Sequence, residues 1–277
     1  MKTRLICFAG STVAIEYGGV RPTRIVDFLY QDIRAVNQVA PCSTCRFTSD
    51  ASSGELLLYS KERLLQHGKC EGTLAVYLME RTCYHLADRS RGGLLLHAAG
   101  LNWHGRGLVF PGQTGTGKST LAAWLLTRGF RYLTDELIFV PYRANLFQAF
   151  SRPLGLKRTA RSILQQLLDF ERLEGQILSS PRVDLIPPRL LNPQDVLNES
   201  SLNLIIFPHY QPDSSFSLSK LSKAQAGLDL MKCLVNARNL LEHGFPEIVR
   251  LVQTVPAYRM TYSDFSRLGR SVEALLS

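Results

Sequence analysis

The sequence predicts a two-part protein: a small α+β unit, then an α/β domain built on a mixed sheet. The chain has 277 residues, 45% hydrophobic and 20% charged, which is typical of a folded globular protein with one large core or two smaller ones. Short apolar runs separated by glycine-containing turns recur along it and indicate strands. A glycine-rich segment, Gly112–Ser119, joins one such run to a helical stretch. Together these features favour an α/β fold.

The first unit spans residues 1–90 and the second residues 91–277, because the polar, glycine-containing segment Arg89–Gly93 reads as a boundary. Hydrophobic periodicity assigns the elements of the first unit. We expect strands at Leu5–Phe8, Val13–Tyr17 and Leu56–Tyr59, and helices at Arg24–Val36 and Gly72–Ala87.

The second unit begins with a predicted antiparallel hairpin: the apolar run Leu94–Leu101, the turn His104–Gly107 and the strand Leu108–Phe110. A helix from Lys118 to Arg128 should follow, with Gly129 in the usual stop position. Further along we expect a strand at Arg131–Val140, a helix at Ala160–Glu171, a proline-rich loop at Pro181–Pro193, a strand at Leu202–Phe207 stopped by Pro208, a long amphipathic helix at Ser222–His243, a strand at Ala257–Tyr262 and a final helix.

Charge, hydropathy and cysteine content indicate the partners and the cellular compartment that we expect. The net charge of +9 suggests anionic partners such as nucleotides, but the basic residues are scattered, which argues against nucleic acid as a partner. The apolar run Leu5–Ala9 is too short for an export signal, and no stretch has the length of a membrane span. Six cysteines in so long a chain imply no disulfide framework and fit a reducing cytoplasm. A homo-oligomer is left open.

Cys42 and Cys45 form a CxxC pair without a second pair. Pro41 and the following Arg46–Thr48 favour a loop, whereas a redox pair normally opens a helix. Incidental thiols are the simpler interpretation, and a metal or redox site is the alternative.

The segment Gly112–Ser119 matches the pattern GxxxxGK[ST] in full. Glycines let successive backbone N–H groups curl around phosphate oxygens, and the helix that follows points its positive end at the anion. Lys118 can reach the β- and γ-phosphates, and the Ser119 hydroxyl can bind Mg²⁺. The predicted nucleotide-binding residues are Gly112, Gln113, Thr114, Gly115, Thr116, Gly117, Lys118, Ser119 and Thr120.

A magnesium–nucleotide site also needs a carboxylate, and phosphoryl transfer to a hydroxyl needs a base. Asp135 and Glu136 are the candidates; both can serve only at a strand end or a bulge, because neighbouring strand residues point to opposite faces. Asp135 is expected to share an apolar face with Leu133, Leu137 and Phe139, where a carboxylate is costly unless it meets a cation or donor. Which acid is the base and which the metal ligand stays open.

Three further residues are candidates. His97 lies within an apolar strand next to the one that enters the glycine-rich segment, where it is either a core residue or a group that orients the base. Arg152 and Lys157 lie in a basic segment containing Gly and Pro. That segment either neutralises charge over the phosphates or is an ordinary basic turn.

The spacing suggests a family. Asp135 follows Ser119 by 16 positions (135 − 119), on the next predicted strand. With the histidine strand, the hairpin, the phosphate loop and the acidic pair, the segment from Leu94 to Glu136 resembles the HPr kinase/phosphorylase superfamily, related in its core to ATP-dependent phosphoenolpyruvate carboxykinase. A weaker likeness to HPr-kinase-like serine kinases continues through Arg152–Lys157 to the end of the chain.

The resemblance implies a P-loop kinase domain that uses ATP and Mg²⁺ to phosphorylate a hydroxyl, usually of a serine. It implies that Lys118 and Ser119 contact phosphate and metal, that Asp135 and Glu136 supply metal ligand and base, and that His97 assists the base. The chain differs in having Glu136 where the bacterial regulators have Asp, and in its short N-terminal unit. A small-molecule acceptor, a P-loop ATPase and a nucleotide sensor without catalysis are the alternatives.

Overall fold

A computed structural model describes residues 1–33, 40–165, 168–194, 196–265, 268 and 272. By its packing the chain divides into two compact units, Met1–Arg91 with Ser151–Pro187, and Gly92–Phe150 with Pro188–Ser277. The strands are β1 (Lys2–Phe8), β2 (Ser11–Tyr17), β3 (Ser43–Ser49), β4 (Leu56–Ser60), β5 (Arg63–Gly68), β6 (Gly93–Trp103), β7 (Arg106–Pro111), β8 (Arg131–Thr134), β9 (Leu137–Pro141), β10 (Leu146–Ala149), β11 (Leu154–Lys157), β12 (Leu178–Ser179), β13 (Val183–Ile186), β14 (Glu199–Tyr210), β15 (Ser217–Lys220) and β16 (Ala257–Tyr262). The α-helices are α1 (Val20–Tyr30), α2 (Glu71–Arg89), α3 (Lys118–Leu126), α4 (Arg161–Leu164), α5 (Lys223–Cys233) and α6 (Phe245–Thr254). Among the described helices, none is long and apolar enough to cross a membrane.

The first unit holds a five-stranded sheet in the order β1-β2-β3-β4-β5, in which β2 and β3 are parallel and the other pairs antiparallel. A three-stranded sheet, β11-β13-β12, belongs to the same unit. It approaches α2 closely at Gly72, where an added Cβ would lie 2.1 Å from the carbonyl oxygen of Ser179. The sequence predicted an unbroken second domain from residue 91. In the structure, Ser151–Pro187 belongs to the first unit instead, where β12 packs against α2.

The second unit is built on a mixed sheet in the order β10-β9-β6-β7-β14-β16-β15, with β8 also paired to β6. β6 is almost continuously apolar and buried, as expected for a central strand, and it forms the predicted antiparallel hairpin with β7. β7, β14 and β16 run parallel. Helices α5 and α6 pack on this sheet, where Leu230 and Ile248 share one core with Leu96 and Ile205.

The predicted strand Arg131–Val140 is divided in two. Gly100 is paired with Thr134 but Leu101 with Tyr132, so Leu133 is the extra residue of a β-bulge. Leu133 consequently packs in one core with Ile138 and Val140, not in a row with Leu137 and Phe139 as the alternation had suggested. The chain then bends at Asp135 and Glu136 before β9 begins.

The predicted helix Ser222–His243 was wrong beyond Cys233, where α5 ends. Asn236 is fully buried and bonds to β6: its Oδ1 accepts from the Leu95 amide at 2.9 Å and its Nδ2 donates to the Gly93 carbonyl at 3.0 Å. Glu242 and His243 then adopt left-handed conformations that no α-helix contains. These tertiary contacts override a helical apolar pattern, and Leu241 is 83% exposed.

Four other predictions were wrong in part. The helix expected at Ala160–Glu171 ends at Leu164. The predicted loop Pro181–Pro193 contains β13, and the segment after Pro41 forms β3. Pro208 was predicted to stop the strand, but β14 continues through it to Tyr210. Pairing of β14 with β7 ends at Ile205, so the missing N–H of Pro208 lies where β7 needs no hydrogen bond from it. The predicted final helix and the end of the predicted helix Arg24–Val36 fall largely outside the described residues.

Candidate functional site

The glycine-rich segment forms the loop between β7 and α3, as its pattern predicts. β7 ends at Pro111 and α3 begins at Lys118. Gly117 precedes the helix with φ 92°, a left-handed conformation that a side chain would strain. Gln113, Thr114 and Gly115 are exposed at the tip of the loop. A loop that enters a helix in this way presents backbone N–H groups and the positive helix end to an anion.

Lys118 is the first residue of α3, and only 5% of it is exposed. Its ammonium group donates to the carbonyl oxygens of Gly112, at 2.6 Å, and of Gln113, at 3.0 Å. The side chain therefore spans the loop from the start of the helix to the end of the strand. Its charge lies inside the curl of the loop, which is where phosphate oxygens would need a cation.

Ser119 and Thr120 follow in the first turn of α3 and are half-buried. Ser119 is the residue of the pattern whose hydroxyl is suited to Mg²⁺. Its role in binding Mg²⁺ stays a prediction.

Asp135 and Glu136 lie at the bend between β8 and β9. Asp135 is 1% exposed, and one of its oxygens, Oδ1, accepts a hydrogen bond from the Tyr132 hydroxyl at 3.1 Å. The main chain of Glu136 is fixed on both sides: its N–H donates to Thr134 Oγ1 at 3.2 Å, and its carbonyl accepts from the Ala98 amide at 3.0 Å. The strand end that the sequence required for two adjacent acids is therefore present.

His97 connects the loop to the acids. Its carbonyl oxygen accepts from the Gly112 amide at 3.3 Å. Its Nε2 lies 3.6 Å from Glu136 Oε1, an ion-pair distance longer than an ordinary hydrogen bond. The side chains of His97 and Glu136 are 23% and 34% exposed, so this pair borders solvent and His97 is not a core residue.

The register of three neighbouring strands explains this assembly. Ala98 on β6 is opposite Pro111 on β7, and on its other side its amide bonds to Glu136. Two strand spacings, roughly 10 Å, thus separate the start of the glycine-rich loop from the acidic pair. β6 is antiparallel to both β7 and β8, so β7 and β8 end at the same edge of the sheet. Ligand sites form at such edges.

Two tyrosines that sequence reasoning missed flank the loop. β14 and β16 extend beyond β7 to Tyr210 and Tyr262, which are paired in register. The Tyr210 amide donates to the Thr116 carbonyl at 3.3 Å, and the Tyr262 hydroxyl donates to the Gly117 carbonyl at 3.3 Å. The two rings meet edge to face with centroids 5.6 Å apart. Tyr262 is the last residue of a predicted strand, which was the available signal, but Tyr210 lies beyond the predicted strand end at Phe207. The pairing of these strands near β7 was not readable from sequence.

Arg152 and Lys157 belong to the other unit. Arg152 is 5% exposed, and its Nη1 approaches the Met79 sulfur at 2.8 Å. Lys157 is exposed at the end of β11. Their role in neutralising phosphate charge stays a prediction.

The residues present fit ATP with Mg²⁺. At Gly112 an added Cβ would lie 2.6 Å from Thr116 Oγ1, so the loop packs closely here and a side chain at this position would displace Thr116. Among the described residues, no group of three or more His, Cys, Asp or Glu side chains is arranged to hold a metal ion by itself. Mg²⁺ usually takes one or two carboxylates together with substrate phosphates and water, and Ser119 with Asp135 or Glu136 offers such hard oxygen ligands.

The two cysteines of the CxxC pair differ in their exposure to solvent. Cys45 lies buried in β3, and burial raises the pKa of its thiol to about 11. Cys42 is exposed, with its sulfur 3.3 Å from Ser11 Oγ. Both are free thiols. This arrangement agrees with the simpler interpretation of incidental thiols.

Comparison with known proteins gives a distant likeness of fold. No model of a protein family matches the chain, and no curated protein does. Among solved structures, the Hpr(Ser) kinase/phosphatase from Coxiella burnetii has a TM-score of 0.36 and 14% sequence identity to this chain. The match covers 66% of this chain and 93% of that one. At this TM-score and identity the match carries no argument about the fold or the activity of this chain.

Proposed function

We propose that this protein is a kinase that transfers the γ-phosphoryl group of ATP, with Mg²⁺, to a hydroxyl group, most simply a serine of a protein or peptide. One observation carries the proposal: His97 bonds through its main chain to the phosphate loop at Gly112 and meets the acidic pair through its ring at Glu136. Phosphate cradle, acids and histidine thus meet at one sheet edge. Phosphoryl transfer depends mainly on such positioning and on charge stabilisation.

Each group has a defined task in this proposal. The amides of Gly112–Gly117 and the Lys118 ammonium bind the phosphates. Ser119 and one acid of the pair Asp135–Glu136 would hold Mg²⁺, which neutralises charge on the phosphate oxygens when it is bound. The remaining carboxylate accepts the proton of the acceptor hydroxyl.

The partners in this proposal are a nucleotide and a hydroxyl-bearing acceptor. A protein serine and a small-molecule hydroxyl are both compatible with the site. A cytoplasmic location, a homo-oligomeric state and the absence of nucleic acid among the partners stay predictions of the sequence.

The fate of labelled phosphate tests the proposal. The purified protein is incubated with γ-labelled ATP and Mg²⁺, with and without extract of its source cells. We expect label on a protein, peptide or metabolite of the extract. Label only in free phosphate would make the protein an ATPase, and bound but intact ATP would make it a nucleotide sensor; either result contradicts the kinase proposal.

A further inference from the structure

The glycine-rich loop lies between two groups of side chains in the sheet of the second unit. On one side, β6 carries His97, and Asp135 and Glu136 follow β8, which pairs with β6. On the other side, β14 is the next strand after β7 and carries Tyr210 at its end. ATP is an elongated molecule with its γ-phosphate at one end and its base at the other. With the γ-phosphate directed to the acids, the base is directed to the side of β14.

Tyr210 lies against the end of the loop with both its main chain and its side chain. Its amide donates to the Thr116 carbonyl at 3.3 Å, and its Cβ lies 3.1 Å from where a Cβ added at Gly117 would be. The absence of a side chain at Gly117 permits this close approach. The side chain of Tyr210 therefore starts beside the turn that enters α3, where the phosphates are proposed to bind.

The Tyr210 side chain lies on the face of the sheet toward α3. Phe207 on the same strand packs in the core with α5 and α6, and side chains alternate along a strand, so Tyr210, three positions later, points to the opposite face. Its ring meets Tyr262 at 5.6 Å between centroids, and Tyr262 meets Phe265 at 5.8 Å. Phe265 in turn stacks on Trp124 of α3 at 5.2 Å. Four aromatic rings thus connect α3 to the end of β14.

This chain of rings faces the first turn of α3. Thr120, the last of the residues predicted to contact the nucleotide, lies four positions before Trp124, and residues at that spacing share one face of a helix. The nucleotide-binding turn and the aromatic rings therefore lie on the same side of α3.

The two tyrosines differ in exposure. Tyr262 is 1% exposed, so it belongs to the interior. Tyr210 is half-buried, and its neighbours His209 and Gln211 are exposed, so part of Tyr210 is open to solvent beside the loop. An aromatic ring that a buried neighbour already holds loses little conformational freedom when it stacks on a ligand.

We infer that Tyr210 is the residue on which the base of the nucleotide stacks, and that it gives the site a preference for purine nucleotides. This inference rests on the proposed binding of ATP at the glycine-rich loop. Stacking recognises the flat face of a base and not its hydrogen-bonding edge, so adenine and guanine both fit. A pyrimidine offers a smaller ring surface and binds less tightly.

Titration calorimetry with ATP and with inorganic tripolyphosphate separates base stacking from phosphate binding, because tripolyphosphate has no base. We expect Tyr210→Leu to raise the dissociation constant for ATP about five- to a hundredfold and to leave that for tripolyphosphate unchanged. The bond to the Thr116 carbonyl uses the main chain and is kept in this variant. Tyr210→Phe keeps the ring and should bind both ligands as the wild type does. Tyr142→Ala removes an exposed tyrosine of the same unit and is the matched control.

The preference for purines is measured with UTP on the same proteins. The wild type should bind ATP more tightly than UTP, and Tyr210→Leu should reduce this difference. A difference that persists in full in Tyr210→Leu would show that Tyr210 does not select the base.

The remaining outcomes are equally decisive. An equal loss for ATP and tripolyphosphate in Tyr210→Leu would show that the side chain only orders the loop, and an unchanged constant for ATP would place the base elsewhere; either result overturns the inference. A wild type that binds neither ligand would overturn both this inference and the proposed function. A wild type that shows the Tyr210 effect but transfers no γ-label would refute the kinase function and leave the base-stacking role standing.

Discussion

The hydroxyl of Tyr262, at the end of β16, donates a hydrogen bond at 3.3 Å to the carbonyl oxygen of Gly117, the last residue of the glycine-rich loop before α3. The same carbonyl accepts from the Leu121 amide at 2.9 Å, so one oxygen joins the loop, the helix and the C-terminal strand. Burial raises the pKa of Tyr262 above its usual value, and the nearby Tyr210 adds to the effect. The hydroxyl therefore stays protonated, and a donor, at neutral pH.

Tyr262→Phe should weaken ATP binding without unfolding the protein. Loss of one long hydrogen bond of about 0.5–1.5 kcal/mol corresponds to roughly a two- to tenfold rise in the ATP dissociation constant. Tyr258→Phe, on the same strand, is the matched control and should leave the constant unchanged. Equal constants for Tyr262→Phe and wild type would mean that the tyrosine does not order the loop.

Gly117→Ala should damage the site more than Gly115→Ala. Both residues have positive φ, 92° and 97°, so the backbone strain is similar, about 1 kcal/mol. At Gly117 the added Cβ would lie 2.5 Å from the Tyr262 hydroxyl, whereas at Gly115 no atom lies within 4 Å. Thermal unfolding and ATP titration of both variants provide the measurement. Equal loss at the two positions would contradict the close approach of Tyr262.

The glycine-rich loop between β7 and α3 and the hairpin before it were predictable because their signals are local. The pattern Gly112–Ser119 fixes a strand, a turn and a helix start in one short window, and the neighbouring apolar run Leu94–Leu101 fixes the strand beside it. The sequence predicted a strand end or a bulge at Asp135 and Glu136, because two adjacent acids cannot share one face of a regular strand. The position of the bulge, at Leu133, could not be predicted from the pattern of apolar residues.

What the sequence did not reveal depends on long-range pairing. Tyr210 and Tyr262 reach the loop only because β14 and β16 run parallel to β7, a relation between segments about a hundred residues or more apart in sequence. Asn236 likewise ends a helical pattern by bonding to Gly93 and Leu95, more than a hundred positions earlier. Such contacts override local propensity and cannot be read from a single window.

Lys118→Ala should weaken ATP binding about ten- to a hundredfold. Its ammonium group lies inside the loop, where it donates to two carbonyl oxygens. In the proposal it also donates to phosphate oxygens, and a charge-assisted hydrogen bond of that kind contributes about 1.5–3 kcal/mol. Lys220→Ala removes an exposed lysine of the same unit and is the matched control. Undiminished affinity in Lys118→Ala would place the nucleotide elsewhere.

Asp184 should make the first unit sensitive to acid. Its side chain is fully buried and receives two hydrogen bonds from Arg161, at 2.6 and 2.7 Å. Burial alone would raise the pKa of this carboxyl, but the hydrogen bonds from Arg161 and Ser179 outweigh it and hold the pKa below its usual value. Stability from this group is therefore present at neutral pH and lost as the pH falls below about 4, through the lowered pKa.

Asp184→Asn should lower the free energy of unfolding at pH 7 by about 2–3 kcal/mol and flatten its fall below pH 4. Glu62→Gln serves as control, because Glu62 is 93% exposed in its pair with Arg46 and should contribute little. Denaturant unfolding at several pH values provides the measurement. Parallel pH curves for wild type and Asp184→Asn would refute the role of this carboxylate.

The thiols should differ in reactivity. Cys42 is exposed, whereas Cys45 is buried and burial raises the pKa of its thiol to about 11. Iodoacetamide at pH 8 should therefore label Cys42 in the native protein and Cys45 only after unfolding, since the thiolate is the reactive form. Mass spectrometry of digested samples provides the measurement, and equal native labelling of both would reopen a redox role for the pair.

The most direct test of the kinase proposal compares γ-label transfer by wild type, Lys118→Ala and Lys220→Ala under identical conditions, with Mg²⁺ and cell extract. If the glycine-rich loop binds the phosphates of ATP as proposed, we expect a labelled acceptor with wild type and Lys220→Ala and none above background with Lys118→Ala. Label that appears equally with all three proteins, or that wild type never places on an acceptor, would contradict it.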